Sequence, residues 1–375
     1  MIRLIASTAF GLEAVVKREI IALGFKDISV LDGRVDFTGE IPDIAKANIW
    51  LRSADRVLLN IGEFTALTFD DLFEGTKALP WDEWIPVNGK FTVTGKSVRS
   101  QLFSVPDCQS IVKKAMVENL KKRYKTEWFQ EDGPEYKVQV GLLKDRATLT
   151  IDTSGPGLHK RGYRPVAAAA PLKETLASAL ISLTYWRRER ILLDPLCGSG
   201  TIPIEGALMA RNMAPGINRG FVSEAWPQIP AQIWKEARVE AREAVINDIK
   251  PQIYGSDIDP AAVELAKHNA KMAGVGDCIT FEVKALKDIT LLDSGGIAVC
   301  NPPYAQRLGT VSEVERLYGD MRHVFGRDDS WALNVITPDE FFEKVYGKKA
   351  VSKRKLFNGK IKTDYYQYPG VRTDK

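Results

Sequence analysis

An apolar strand that turns through two glycines straight into an apolar helix constrains this chain more than any other feature. Ile191-Leu192-Leu193-Asp194 reads as the strand, Pro195-Leu196-Cys197-Gly198-Ser199-Gly200-Thr201 as the turn, and Ile202 to Ala210 as a buried helix. A strand and a helix that are both apolar throughout need cover on both faces, which is the situation of a parallel sheet with helices packed on it. Gly198 and Gly200 let the backbone come close to a ligand. A dinucleotide fingerprint would need a third glycine at 203, and Pro203 stands there. Asp194 sits on the strand itself. A carboxylate there disfavours a pyrophosphate and favours an ammonium group, so an amino-acid-like ligand is expected.

Two further strand ends belong with it. Gln252-Ile253-Tyr254-Gly255-Ser256-Asp257-Ile258-Asp259 closes on acids, and Pro260 stands where a helix from Ala261 to Met272 begins. In nucleoside-binding sheets an acid at the end of the second strand accepts hydrogen bonds from ribose hydroxyls, a role open to Asp257. Asp259 serves equally well as a helix N-cap. The glycines lie far more than the usual ~20 residues upstream, so the segment from about Arg211 to Lys250 is expected to be an insertion. Ile297-Ala298-Val299-Cys300 is another buried strand, and Asn301-Pro302-Pro303-Tyr304 follows it. Two prolines stop ladder and helix alike, and Pro303 keeps Pro302 out of the helical region. Asn301 Oδ1 and the Pro302 carbonyl can accept both hydrogens of a planar amine while Tyr304 stacks on its ring. Taken alone, Asn-Pro is also an ordinary turn.

In this order, Asp194 to Thr201, Gly255 to Asp259 and Asn301 to Tyr304 resemble the motifs of class I S-adenosylmethionine-dependent methyltransferases that act on exocyclic amines. Upstream, Ser100-Gln101-Leu102-Phe103-Ser104 with Cys108 to Ala115 resembles a THUMP RNA-binding domain. Leu158-His159-Lys160-Arg161-Gly162-Tyr163-Arg164 resembles the segment joining THUMP to a catalytic domain. Nearly the whole chain is similar to the bacterial RlmL family, 23S ribosomal RNA guanine-N2 methyltransferases, in its single-methyltransferase form. The resemblance implies an α/β fold: a Rossmann-like class I methyltransferase domain, with a mostly parallel sheet and an antiparallel terminal hairpin, behind an N-terminal α+β ferredoxin-like/THUMP region. It implies S-adenosyl-L-methionine held at Asp194, Cys197, Gly198, Ser199, Gly200, Thr201, Asp257 and Ile258. Asn301, Pro302 and Tyr304 become the catalytic residues, and 23S ribosomal RNA or a large-subunit precursor the partner. One departure stands out. Many relatives carry an acid at the position of Ala285 to accept a hydrogen bond from the cofactor's adenine, so here a backbone group or Asp288 must do so.

The expected organisation is an α+β unit at 1–60, a THUMP domain at 61–155, a linker at 156–170 and the methyltransferase domain at 171–375. The first unit reads as strand Ile2–Ala6, helix Leu12–Leu23, strand Arg34–Thr38 and helix Ile41–Trp50. In the second, strands near Val57–Phe64, Phe91–Lys96, Tyr136–Leu142 and Arg146–Thr153 surround a basic helix, Gln109–Tyr124. Catalytic strands are expected at Ile191–Asp194, Gln252–Ser256, Ile279–Val283, Ile297–Cys300 and Trp331–Thr337. Asn358-Gly359 is a hairpin signal between Lys353–Phe357 and Lys360–Tyr368.

A net charge of +4 over 375 residues is modest, so its distribution matters more. Lys96, Arg99, Lys113, Lys114, Lys121 and Lys122 gather on and beside one helix, and Lys160, Arg161 and Arg164 lie in the linker. A single such cluster is commonly a solvated face. With a third near the C-terminus at Lys348, Lys349, Lys353, Arg354 and Lys355, three clusters flanking a methyltransferase core suggest a surface that follows phosphates. Four scattered cysteines and three separated histidines give no disulfide framework and no metal-ligand spacing. The N-terminal apolar run is too short for a signal peptide, and no stretch approaches a membrane span. A cytoplasmic enzyme is expected. The alternatives are an adenine-N6 enzyme, a protein-glutamine enzyme, which the basic THUMP-like half disfavours, and a non-catalytic RNA-binding assembly factor.

Overall fold

The computed structural model describes residues 1–164, 172–292, 294–304, 311–326 and 328–371. The Ala167–Ala170 run of the expected linker lies outside them. Two seven-stranded sheets organise the molecule. The first contains β1 (Ile2–Ser7), β2 (Lys26–Leu31), β3 (Arg34–Gly39), β4 (Arg56–Thr65), β5 (Lys90–Val98), β6 (Glu135–Leu143) and β7 (Arg146–Asp152) in the order β2-β3-β1-β4-β7-β6-β5. Helices α1 (Glu13–Ala22), α2 (Ile41–Trp50), α3 (Phe69–Lys77) and α4 (Val105–Tyr124) accompany it. β4 pairs with β1 on one side and with β7 on the other. The expected division at 60 therefore runs through a strand shared by both N-terminal units. Sequence patterning passed over β2, a mostly exposed edge strand with no buried residue, and α3. The latter's signal was its capping box, in which Thr68 Oγ1 accepts from Asp71 N and Asp71 returns a bond to Thr68 N.

The second sheet contains β8 (Leu192–Asp194), β9 (Ile253–Asp257), β10 (Ile279–Val283), β11 (Gly296–Cys300), β12 (Trp331–Thr337), β13 (Ser352–Asn358) and β14 (Ile361–Tyr368) in the order β10-β9-β8-β11-β12-β14-β13. Its first five strands run parallel and β14 is antiparallel to both neighbours. All five residues of β11 are buried, as a central strand covered on both faces requires. Helices α5 (Glu174–Leu183), α6 (Thr201–Ala210), α7 (Ala231–Glu243), α8 (Pro260–Met272), α9 (Val311–Phe325) and α10 (Phe342–Tyr346) complete the domain. The winding reverses between β8 and β11, where open α/β sheets bind their ligands.

The Arg211–Lys250 segment does interrupt the path from α6 to β9, and its residues join the N-terminal core. Ala214, Ile217, Phe221, Trp226, Ile229, Trp234 and Ala241 share a hydrophobic cluster with residues of the first sheet. Trp226 stacks on Tyr136 with centroids 4.8 Å apart and donates from Nε1 to the Glu135 carbonyl. The chain thus reaches back from its catalytic half to bind its own N-terminal half.

One expectation shifts by a residue. The terminal hairpin does not turn at Asn358-Gly359. Asn358 still pairs with Ile361, so Gly359 and Lys360 form the two-residue loop. Gly359 takes φ +64° at the first loop position, the place a type II′ turn reserves for glycine.

Candidate active site

A cavity of about 710 Å³ opens where β8, β9 and β11 end. Its floor is built by the glycine turn. The Cys197 amide donates to the Ser256 carbonyl at 2.9 Å, and the Gly198 amide donates to Asp257 Oδ2 at 2.9 Å. Asn269 of α8 donates to the Ser199 carbonyl at 3.0 Å. Gly198 has φ +50° and a Cβ built there would meet no atom within 4 Å, so its free side is room for a ligand. Gly200 differs. With φ +80° it starts α6, and a Cβ would lie 2.9 Å from that of Ala266. It serves the turn and the packing of α6 on α8, and it is not in the cavity wall.

Asp194 lies at the base, only 2% exposed, with Oδ1 accepting from the Leu196 amide at 3.1 Å. Burial pushes its carboxyl well above the usual range, and the nearby Asp257 pushes the same way. A group held this way gains most from a cationic neighbour. Asp257 Oδ1 accepts from the Asp259 amide at 3.0 Å, so each of its oxygens has one backbone donor and a second lone pair to offer. Asp259 caps α8 by accepting from the Ala261 amide at 2.9 Å. Ile258 is 71% exposed and borders the cavity as an apolar ledge. Cys197, Ser199 and Thr201 also line it. Asp288, exposed at the end of a short turn after β10, is not among the described residues that line it.

The Asn301–Tyr304 turn, at the end of the neighbouring strand β11, also lines the cavity. Tyr304 Oη donates to Asn301 Oδ1 at 3.1 Å and accepts from Asn358 Nδ2 at 3.2 Å. Asn358 was visible in the sequence only as a turn residue. Arg316 and Asp320 of α9 also line the cavity and carried no sequence signal. Cys300, one residue before the turn, is fully buried and burial raises its thiol far from ionisation, so it supplies no nucleophile.

The expected phosphate-following residues separate into two groups. Lys96, Arg99, Lys113, Lys114, Lys122 and Lys160 are exposed and Lys121 half-buried. Arg161 and Arg164 are corrections. Arg161 is 5% exposed, donates to the Leu158 and Arg52 carbonyls, and approaches the fully buried Glu205 at 3.6 Å. Arg164 pairs with Glu174 at 2.7 Å and donates to Thr201 Oγ1 at 2.9 Å. Arg161 braces α6 from inside and Arg164 ties α5 to α6, because Glu205 and Glu174 are buried carboxylates that demand cationic partners. Among the described residues no helix is long and apolar enough to cross a membrane, and no group of three or more His, Cys, Asp or Glu is placed to hold a metal ion.

Comparison with known proteins agrees with this geometry. Residues 3–58 match the RlmL ferredoxin-like domain, residues 66–152 the THUMP domain, and residues 161–367 the family described as RMKL-like, methyltransferase domain. YpsC of Bacillus subtilis, which bears the name putative RNA methyltransferase, is 52% identical over 97% of this chain and 95% of its own. The ribosomal RNA large subunit methyltransferase K/L of Psychromonas ingrahamii is 34% identical over 94% of this chain, which spans 48% of that protein. A crystal structure from Listeria monocytogenes, whose name predicts an N6-adenine-specific DNA methylase, superposes with a TM-score of 0.93 at 50% identity, covering 99% of this chain and 96% of that one. SMU.472, solved in complex with SAH, gives 0.92 at 42% identity over 100% of this chain and 99% of its own. From its ferredoxin-like start to its parallel catalytic sheet, the chain belongs to the RMKL-like methyltransferase family, with a THUMP domain ahead of the catalytic one.

Proposed function

We propose that this protein methylates the exocyclic N2 amine of a guanosine in 23S ribosomal RNA, using S-adenosyl-L-methionine. The observation that carries the reading is the meeting, in one cavity, of a buried carboxyl beside an open glycine turn with an amide-and-proline turn that offers amine acceptors. The SAH complex of SMU.472 and the name of the K/L relative support the cofactor and the RNA class.

The residues present fit that cofactor. Asp194 would hold its cationic amino-acid end, Gly198 would let it approach the backbone, Asp257 would accept from its ribose, and Ile258 would cover its base. When bound, it supplies a methyl group on a positively charged sulfur. The remaining work falls to the chain itself. A guanine N2 lone pair is delocalised into its ring and is a poor nucleophile. Asn301 Oδ1 and the Pro302 carbonyl would hold both of its hydrogens, which favours a more tetrahedral nitrogen with its lone pair aimed along the transfer line. Tyr304 would stack on the base. A paired base must first leave its helix to reach the turn. Transfer is direct and in line, helped by positioning and preorganised dipoles rather than by a strong base, since the amine becomes acidic once methylated and would release one hydrogen as a proton to solvent. In this reading the N-terminal 1–155 captures RNA and 171–375 performs the chemistry.

The second reading is adenine N6, favoured by the name of the Listeria relative and by the fact that both bases present an amine to the same acceptors. Nucleoside mass mapping of ribosomal RNA from a deletion strain decides between them. Loss of one N2-methylguanosine from 23S RNA is expected. Loss of N6-methyladenosine with N2-methylguanosine intact would replace the first reading by the second.

A further inference from the structure

Asn358 ends β13, and its place there has a consequence for the chemistry. The two-residue loop needs φ +64° at Gly359 and uses nothing of the Asn358 side chain. That side chain lines the cavity and donates to Tyr304 Oη at 3.2 Å, and Tyr304 in turn donates to Asn301 Oδ1 at 3.1 Å. In the structure this relay runs from Asn358 toward Asn301. Asn358 Nδ2 brings a hydrogen to the phenol oxygen, and the phenol has a single hydrogen to give, which goes to Asn301.

An asparagine amide has nearly the same shape either way round, so only its partners fix which end faces a substrate. With Tyr304 donating, the atom beside the ring must be oxygen. A carbonyl oxygen has two lone pairs, so Oδ1 retains one for a substrate amine. Turned over, Asn301 would present its own NH2 to that amine and repel it. We propose that Asn358 is a positioning residue for methyl transfer: acting through the Tyr304 hydroxyl, it holds the Asn301 amide with its oxygen toward the substrate. The inference rests on the amine-methylation reading and holds for either base.

The test is steady-state methyl transfer to unmodified ribosomal RNA, with cofactor-product binding by calorimetry as the check on folding. Asn358→Ala should lower kcat by about tenfold, the scale of one neutral hydrogen bond, while KM for the cofactor stays within about twofold. Asn358→Asp should be worse, with a loss of roughly 10²-fold. A carboxylate only accepts, so it would draw the Tyr304 hydrogen to itself and let Asn301 turn over. A role confined to hairpin shape predicts the opposite ranking, because Asp matches Asn in size. Tyr304→Phe should lower kcat by itself, and either Asn358 change added to it should cost almost nothing more, since the relay is already broken. A fully active Asn358→Asp or Tyr304→Phe enzyme, or losses that multiply in full in the double variants, would overturn the proposal while leaving the amine reading intact. Failure of the unaltered enzyme to methylate any base amine would remove both.

Discussion

The two sheets carry function in different ways. In the catalytic sheet five parallel strands deliver their ends to one edge, and the reversal between β8 and β11 opens a cavity there. Asp194, Asp257 and Asn301, remote in sequence, meet because the topology leaves them nowhere else to go. The N-terminal sheet is antiparallel except at β5–β6. Its cations are spread over α4 and neighbouring loops, and several already have partners: Lys113 lies 3.8 Å from Glu131, Lys121 2.7 Å from Glu127 and Arg123 2.8 Å from Asp82. One half concentrates its chemistry at a point, where single residues matter. The other distributes charge, where single residues matter little.

The contrast is broken most severely by separating the halves. Trp226 is 1% exposed and packs into the N-terminal core from the catalytic insertion. Trp226→Ala should cost about 3–5 kcal/mol, as for other large buried aromatics. Chemical denaturation should then show two transitions, the N-terminal sheet unfolding first. A single transition with a loss below about 1 kcal/mol, within the range of surface changes, would mean the insertion is not what joins them. Next in size is Asn301→Ala, which should lower methyl transfer by ~10²-fold or more, the cost of removing a preorganised polar group. Binding of the cofactor product should survive, because the acids and the glycine turn that would hold it, Asp194, Gly198 and Asp257, are untouched. Full activity in this variant would sink the amine-acceptor mechanism for both bases.

What the sequence disclosed follows the same division. The central catalytic strands β8 and β11 were visible as apolar runs, since strands buried on both faces have no solvent face to dilute the pattern. The site residues at strand ends were visible because glycine, proline and acids there have few other reasons to occur. Arg161 and Arg164 were misread because a linker cation looks the same whether it faces water or a buried carboxylate. Its partners Glu205 and Glu174 sit on helices that pattern alone marks as apolar. Asn358 was hidden by its own neighbour: Asn-Gly is so strong a turn signal that a one-residue shift, which sends the amide into the cavity, could not be seen. β2 was missed because an exposed edge strand shows no alternation.

Asp194 allows a test by pH. Its carboxyl titrates above the ordinary value in the folded protein, chiefly through burial. The folded state therefore binds that proton more tightly than the unfolded chain does. Stability is present below the ordinary carboxylate range and declines as pH rises from there toward the raised value. Asp194→Asn removes this penalty, so the ligand-free variant should be more stable than the parent near neutral pH, by roughly 0.5–2 kcal/mol, as when a strained functional group is relieved. Its cofactor affinity should fall. Across the same pH window the parent should bind cofactor more tightly as pH rises, because the ligand needs the carboxylate. A variant less stable than the parent at neutral pH would show that Asp194 is structural.

The smallest single-residue effects belong to the distributed half, and they can be sorted. Lys114 and Lys122 have no carboxylate within ion-pair distance among the described residues, although Lys114 lies 5.7 Å from the Phe73 ring centroid. Lys113 and Lys121 have Glu131 and Glu127. A cation that already has an acid nearby gains less from a phosphate, since it must leave one partner for another. Neutralising Lys114 and Lys122 together should therefore reduce the slope of log affinity against log salt by up to about 1.8 for duplex RNA, taking roughly 0.9 per phosphate contact as for B-form DNA. The same change at Lys113 and Lys121 should reduce it less. Arg161→Gln should leave the slope unchanged while lowering stability, because its charge answers Glu205 inside the protein. Filter binding of a 23S fragment over a salt series measures all three. A slope untouched by the four lysine changes would place the RNA face elsewhere on the N-terminal half, and a slope altered by Arg161→Gln would return that arginine to the RNA surface.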